Sequence, residues 1–131
     1  MQHYKETFKV VKEDLDDLNH VNNIRYIEWI LEISKNHWLE VVDEAIRNEI
    51  VWVVKSHNIN YSKPAKLNDP IEVTTYIKNT KGPLSIRVVE VRNNKTGQLL
   101  VNASTEWCLL DAKTFRPKRV PESIQNLFIK V

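Results

Sequence analysis

Residues 14–38, "DLDDLNHVNNIRYIEWILEISKNHW", change character halfway along. The first half is polar. Three of the chain's 17 acidic residues, Asp14, Asp16 and Asp17, fall within four positions, and Asn19-His20-Val21-Asn22-Asn23 follows. From Asn23 the apolar residues recur at helical spacing, with Ile24, Ile27, Leu31 and Trp38 on one face and Trp29, Ile30 and Ile33 widening it. A stripe that broad is too wide for a surface helix, so it predicts a helix wrapped by other structure. The next stretch, "LEVVDEAIRNE" (39–49), predicts a bent continuation or a second helical piece.

Strands lie on both sides of this helix. Residues 5–11 alternate, Phe8 and Val10 opposite Thr7 and Lys9. After Ile50 come "IVWVVKSHNINY" (50–61), "IEVTTYIKN" (71–79), "PLSIRVVEVRN" (83–93) and "LLVNASTEWCLLD" (99–111). They are punctuated by "KPAKLND" (63–69), by Lys81-Gly82-Pro83, and by "NNKTGQ" (93–98), where Gly97 suits the positive φ of a hairpin loop. "PESIQNLF" (121–128) reads as a short helix with Pro121 near its start. The fold class is therefore α+β: an antiparallel sheet of about five strands curled around one long helix.

The chain has 131 residues and an apolar content of 42%, with four Trp and four Tyr, which predicts one folded domain over 1–131 and argues against disorder. No apolar run is long enough to span a bilayer, so no membrane is expected. "MQHYKETFKV" lacks the apolar stretch of a signal peptide, and the lone Cys108 has no internal disulfide partner. The expected location is the cytoplasm. Only two glycines occur, which excludes Gly-rich phosphate loops. Residues 1–50 carry 6 Lys/Arg against 11 Asp/Glu, and residues 51–131 carry 13 against 6. From Ala112 onward, Lys113, Arg116, Lys118, Arg119 and Lys130 face Glu122 alone. That strip suits an anionic partner, but the whole chain is not basic enough for nucleic acid and carries no motif for it.

The run Asp16-x-x-x-His20-Val21-Asn22-Asn23-x-x-Tyr26, opening a long helix behind one strand, resembles the hot-dog-fold acyl thioesterases. The nearest group is the one containing acyl-ACP thioesterases and hydroxybenzoyl-CoA thioesterase. "NINYSKPAKLNDPIEV" (58–73) and "WCLLDAKTFRPKRVP" (107–121) extend the likeness over nearly the whole chain. The resemblance implies a helical sausage in a sheet bun and protomers joined edge to edge, as homodimers or dimers of dimers. It also implies active sites at the dimer interface. The implied reaction is hydrolysis of an acyl-CoA or acyl carrier protein thioester, in fatty acid metabolism. No cofactor is implied beyond the coenzyme A or phosphopantetheine that is part of the substrate. One departure is plain. The plant-type enzymes read Asp-x-Asn-x-His where this chain has Leu18 in the middle, and they have a Glu near the position of Pro64. Their four-residue network does not carry over whole; Asp16 and the helix amide do.

Physical chemistry gives these residues work. Thioester hydrolysis needs a base or nucleophile and a donor for the charge developing on the carbonyl oxygen. The first turn of a helix offers unpaired N–H groups and a positive dipole end, and one good oxyanion donor is worth about 3 kcal/mol of barrier. Asp16 is the candidate nucleophile or base, the backbone N–H of Asn23 the candidate oxyanion donor, and His20, Asn22 and Asn23 candidate side-chain supports. One of the two asparagines is expected to be a plain N-cap. Asp14 and Asp17 are read as solvated loop charges. A calcium loop in "DLDDLN" is rejected, because the sixth position lacks Gly and the twelfth is Arg25.

Tyr26 and Trp29 join the substrate-binding candidates, although a tyrosine one turn into a helix is commonly a packing residue with its hydroxyl satisfied. Trp29, Trp52 and Trp107 are candidate walls of an acyl tunnel. Arg87, Arg92, Arg116, Lys118 and Arg119 are candidates to hold the anionic carrier arm. His57 and Cys108 are read as structural. Two competing functions share the scaffold: a hot-dog acyl-CoA hydratase or dehydratase, and a non-catalytic acyl-CoA-binding module.

Overall fold

The computed structural model describes residues 2–129, so Lys130 of the basic C-terminal strip lies outside the described residues. The elements run β1 (Tyr4–Lys9), a single 3-10 turn (Lys12–Asp14), α1 (Asn23–Val41), α2 (Glu44–Arg47), β2 (Ile50–Tyr61), β3 (Pro70–Lys81), β4 (Leu84–Asn93), β5 (Leu99–Asp111) and α3 (Glu122–Leu127). All five strands join one antiparallel sheet in the order β1-β3-β4-β5-β2. Register shifts in β2 between Val54 and Ser56, and in β3 between Ile77 and Asn79, bend the sheet and raise its twist. No helix among the described residues is long and apolar enough to cross a membrane.

The turns sit where the punctuation places them. Gly82 (φ 60°) closes β3–β4 and Gly97 (φ 76°) closes β4–β5, both in the left-handed region where a side chain would be strained. After Val41 the chain becomes extended at Val42, and Asp43 starts α2 by accepting a hydrogen bond from Ile46 N at 3.1 Å. The second helical piece is thus set by an aspartate cap.

Helix α1 lies across β1 and β3. Its buried residues are Tyr26, Trp29, Ile30, Ile33, Ser34 and His37, packed with Val10, Ile71, Val73 and Val89. The face expected from the sequence, Ile24-Ile27-Leu31-Trp38, is not the core face: Ile24 is 67% exposed and Leu31 36%. The apolar stripe is broad because the helix has two apolar tasks. One face packs closely on β1 and β3, and the neighbouring face stands over the other half of the sheet, meeting it at fewer points, such as Trp38 edge-to-face on Trp52 and His37 on Arg87. A second cluster of Val42, Ile50, Leu109, Val120, Ile124 and Phe128 closes the far end beneath α3.

Between the two clusters sits a buried polar line. His37 is fully buried. Its Nδ1 accepts from Arg87 Nη1 at 2.8 Å, which leaves the imidazole proton on Nε2, facing Gln2 Oε1 at 2.9 Å. Tyr4 stacks on the ring. Burial first, and the neighbouring Arg87 cation second, push the His37 pKa down to about 4. The folded imidazole therefore stays neutral where the unfolded one, with its ordinary value of 6.5, takes a proton. Stability falls as pH drops from 6.5 toward 4 and levels out below, by about 3 kcal/mol at the fullest. Urea titrations at stepped pH should show this limb in the parent and a flatter one in His37→Gln. An equally steep limb in the variant assigns it to other groups.

Candidate active site

The loop before α1 is anchored at Asp14, which is buried, contrary to its reading as a solvated charge. Its Oδ1 accepts from Arg25 Nε at 2.7 Å, its Oδ2 from Val11 N at 3.0 Å, and its carbonyl from Asn22 N at 2.9 Å. That bond to Asp14 is the main cause of the raised Arg25 pKa. A carboxylate can be buried here because a guanidinium and a backbone amide satisfy it.

From this anchor, residues 16–20 make a tight loop. Asp16 Oδ1 accepts from Leu18 N at 2.9 Å and His20 N at 3.2 Å, and Asp16 N donates to His20 O at 2.8 Å. Asn19 takes φ 60°, which asparagine tolerates better than most residues. Bridges Leu15–Val21 and His20–Lys66 hold the loop's base against the β2–β3 connection. One oxygen of Asp16 therefore fixes the loop. The other, Oδ2, has no hydrogen-bond partner among the described residues, and Asp16 is half-buried while Asp17 is exposed.

The helix start separates the two asparagines. Asn22 is the N-cap: its Oδ1 accepts from Ile24 N at 2.9 Å, and its carbonyl accepts from Arg25 N at 2.9 Å. Its Oδ1 is thereby engaged in capping, the role expected of one of the two asparagines. With Asn22 N on Asp14 O, the Asn23 N–H is the first-turn amide left without an acceptor among the described residues. It lies at the positive end of a 19-residue helix, on an exposed residue. His20 is half-buried, and its imidazole makes no hydrogen bond among the described residues.

Beneath α1, over the half of the sheet it covers more loosely, is a cavity of about 560 Å³. Leu31, Ser34 and Trp38 line it from the helix, and Trp52, Arg87 and Trp107 from the sheet. Leu31, Val53 and Val54 form its mouth at 36–39% exposure, whereas Ser34, Ser85 and Arg87 at its floor are at most 5% exposed. Leu31 is eight residues beyond Asn23, a rise of about 12 Å along the helix. Asp16 and Asn23 are not among the residues lining the cavity of their own chain.

Several expectations about the substrate are corrected. Trp29 does not line the cavity; it packs in the core, edge-to-face on Phe8 and Tyr26. Tyr26 is buried too, its hydroxyl accepting from Ala65 N at 2.9 Å and fastening the β2–β3 connection to the helix. Burial raises its pKa. Trp52 and Trp107 do line the cavity, joined by Trp38 and Ser34, which the sequence reading did not single out as lining. The spacing 31-34-38 was the available signal, one helix face next to the core face.

Arg87 is buried on the inner side of the sheet and out of reach of a carrier in solvent. Arg92 is engaged with Glu90 and with Gly97 O, while Arg116 and Arg119 are exposed and Lys118 half-buried after β5; none of the four lines the cavity. His57 meets Thr105 Oγ1 at 2.8 Å across the β2–β5 pair.

The family model of the acyl-ACP thioesterase N-terminal domain matches residues 1–128. Over 109 residues the chain is 33% identical to the long-chain acyl-CoA thioesterase FadM of Escherichia coli, covering 81% of this chain and 82% of that one. The crystal structure of YbaW, a probable thioesterase from Escherichia coli, superposes with a TM-score of 0.85 at 27% identity, over 96% of this chain and 98% of the other. A 4-hydroxybenzoyl-CoA thioesterase mutant, crystallised with 4-hydroxybenzoyl-CoA, gives a TM-score of 0.87 at 18% identity over 98% and 99%, a likeness of fold.

The Tyr26 hydroxyl offers a test of the site's scaffold. Tyr26→Phe leaves the Ala65 N–H buried and unpaired, which should lower stability by about 1–3 kcal/mol in denaturant titrations. An unchanged midpoint would show that this tie does not hold the connection.

Proposed function

The chain belongs to the acyl-ACP thioesterase family and is a thioester hydrolase of the hot-dog fold, and on that premise we propose that Asp16 and the Asn23 amide are its reacting pair. The observation carrying this is the unpaired Asn23 N–H at the helix start beside a loop whose aspartate keeps one oxygen free. The thioester carbonyl oxygen accepts from that N–H, so charge developing on it meets a fixed donor and a helix dipole. Asp16 Oδ2 takes the proton of an attacking water, or attacks the carbonyl carbon itself. The acyl carbon gains oxygen, and the departing sulfur gains a proton. His20, with its ring unengaged and its backbone fixed on Asp16, orients the water. The chemistry calls for no group beyond the carrier's own arm, and we keep the cytoplasm as its location on the single cysteine.

The substrate we propose is an acyl thioester of coenzyme A or acyl carrier protein. Its apolar part enters the cavity under α1, and Arg116, Lys118 and Arg119 remain candidates for the anionic carrier.

The assembly we propose is a dimer through β2. This strand is a sheet edge 12 residues long, exposed on both faces from Val53 to Asn58, with Val53 and Val54 open to solvent. Long uncovered edges of this kind are normally paired or covered. A two-fold pairing of β2 with its copy runs antiparallel, so the Tyr61 end of one strand lies against the Ile50–Val54 end of the other. Tyr61 sits beside Tyr26 at the helix start, ring centroids 5.8 Å apart, and Ile50, Trp52, Val53 and Val54 line the cavity. Each cavity mouth thereby comes next to the reacting loop of the opposite protomer.

Asp16→Asn keeps an oxygen for the Leu18 and His20 amides and loses only the base. Thiol release from acyl-CoA should fall by about a hundredfold or more with the loop intact. Asp16→Ala should lose both rate and loop stability. Full turnover in Asp16→Asn would remove this residue from the chemistry. Light scattering should give twice the chain mass, or four times it where dimers pair, and a monomer that turns over at the full rate contradicts the proposed pairing.

A further inference from the structure

The floor of the cavity holds two side chains, Arg87 and Trp107, with hydrogen-bond donors left without a partner among the described residues. Arg87 is 5% exposed. Its Nη1 donates to His37 Nδ1 at 2.8 Å and to Thr75 Oγ1 at 3.1 Å. The other edge of the guanidinium, Nε and Nη2, has no acceptor, and no carboxylate lies within ion-pair distance of Arg87 among the described residues. Beside it, Trp107 Nε1 is the buried side-chain donor left without a partner among the described residues. Both side chains line the same cavity. Phe128 lies near the guanidinium, 6.0 Å from the guanidinium carbon to the ring centroid, and supplies no acceptor.

A cation in apolar surroundings without an anion is unfavourable, and a buried indole N–H adds to that. Burial lowers the Arg87 pKa only to about 10, so the charge persists at neutral pH. The free Nε–Nη2 edge is the fork of parallel donors that fits the two oxygens of a carboxylate. Of the other walls, Leu31, Trp38, Trp52 and Ile77 suit a hydrocarbon, and Lys35 adds a second cation.

We propose that the cavity takes acyl groups whose far end carries a carboxylate, with the Arg87 fork and the Trp107 N–H as its receptor. The preferred substrates are then the monothioesters of dicarboxylic acids, and hydrolysis releases the diacid and the carrier thiol. This rests on the reading of the cavity as the acyl site of a thioesterase.

The test compares coenzyme A thioesters in matched chain lengths, ending in methyl or in carboxylate, alongside the corresponding non-hydrolysable thioethers. The parent should favour the carboxylate end in kcat/KM, and in thioether affinity by calorimetry, by about tenfold or more, as for a charged hydrogen bond. Arg87→Met should reverse the ratio, Arg87→Lys should restore part of it, and Trp107→Phe should reduce it less. Equal or better use of methyl-ended chains by the parent overturns the proposal, whether or not the Arg87 variants fold. If neither thioether binds, the acyl-site reading fails and the proposal with it. If both bind with the expected preference while no thioester is hydrolysed, the receptor stands and the hydrolytic reading falls.

Discussion

Helix α1 rests chiefly on β1 and β3, so the other half of the sheet's inner face is covered more loosely. That placement follows from side-chain size. Trp29, Ile30 and Ile33 fill the space over β1 and β3 with Val10, Ile71 and Val73, while Leu31, Ser34 and Trp38 on the neighbouring face line the cavity over the rest of the sheet without filling it. The looser half must be filled by something. At the far end it is filled by α3 and Phe128, and at the middle it stays open as the cavity. The cavity is thus a consequence of one helix covering a sheet wider than itself. The bends in β2 and β3 keep the open half from flattening away.

The chemistry of the helix start follows from ordinary capping. Every first-turn amide needs an acceptor, and here Asp14 O, Asn22 Oδ1 and Asn22 O take the neighbours of Asn23. The amide that is left over is not a defect of the cap but the donor a carbonyl oxygen can use. Its position is only as fixed as the chain before it. Asp14, held by Arg25 and by the Val11 amide, fixes that chain from below, and Tyr26 fixes it from the side through Ala65. Residues that never touch a substrate would in this way set the angle at which Asn23 meets one.

The strands, their turns and the long helix were legible because alternation, Gly82, Gly97 and the broad apolar stripe are local signals. The sequence left a bent continuation and a second helical piece both open after Val41, and the Asp43 cap seen in the structure decides for the second. What could not be read was which side of the stripe faces what. Ile24 and Leu31 look like core residues in a helical projection, yet they face solvent and the cavity mouth, because the choice is made by strands far away in sequence. The same holds for polar residues. Asp14 and Asp17 are alike in composition, but only Asp14 meets Arg25, eleven residues on, and becomes buried. Asn22 and Asn23 could be told apart only by knowing where the first helical turn closes. Arg87 shows the limit most clearly. Its place in an alternating strand marks it as one face or the other, and no local feature tells that this face is the inner one.

On the proposed pairing the two ends of a substrate are read by different chains. Within one chain, Asn23 and His37, the neighbour of Arg87, are fourteen residues apart on one helix, a rise of about 21 Å. An acyl group spanning that distance would have to lie along the whole helix, past Trp29 and Tyr26, where the core is packed and offers no passage. Across the β2 edge, the cavity mouth at Val53 and Val54 faces the opposite reacting loop directly, and the path avoids the core. The usable acyl length is then set by the register of β2 against its copy and by the depth from mouth to Arg87, not by the length of the helix. A shift in that register by a pair of residues would move the reacting loop by about 7 Å along the strand. Such a shift would change which chains fit without altering a single wall residue.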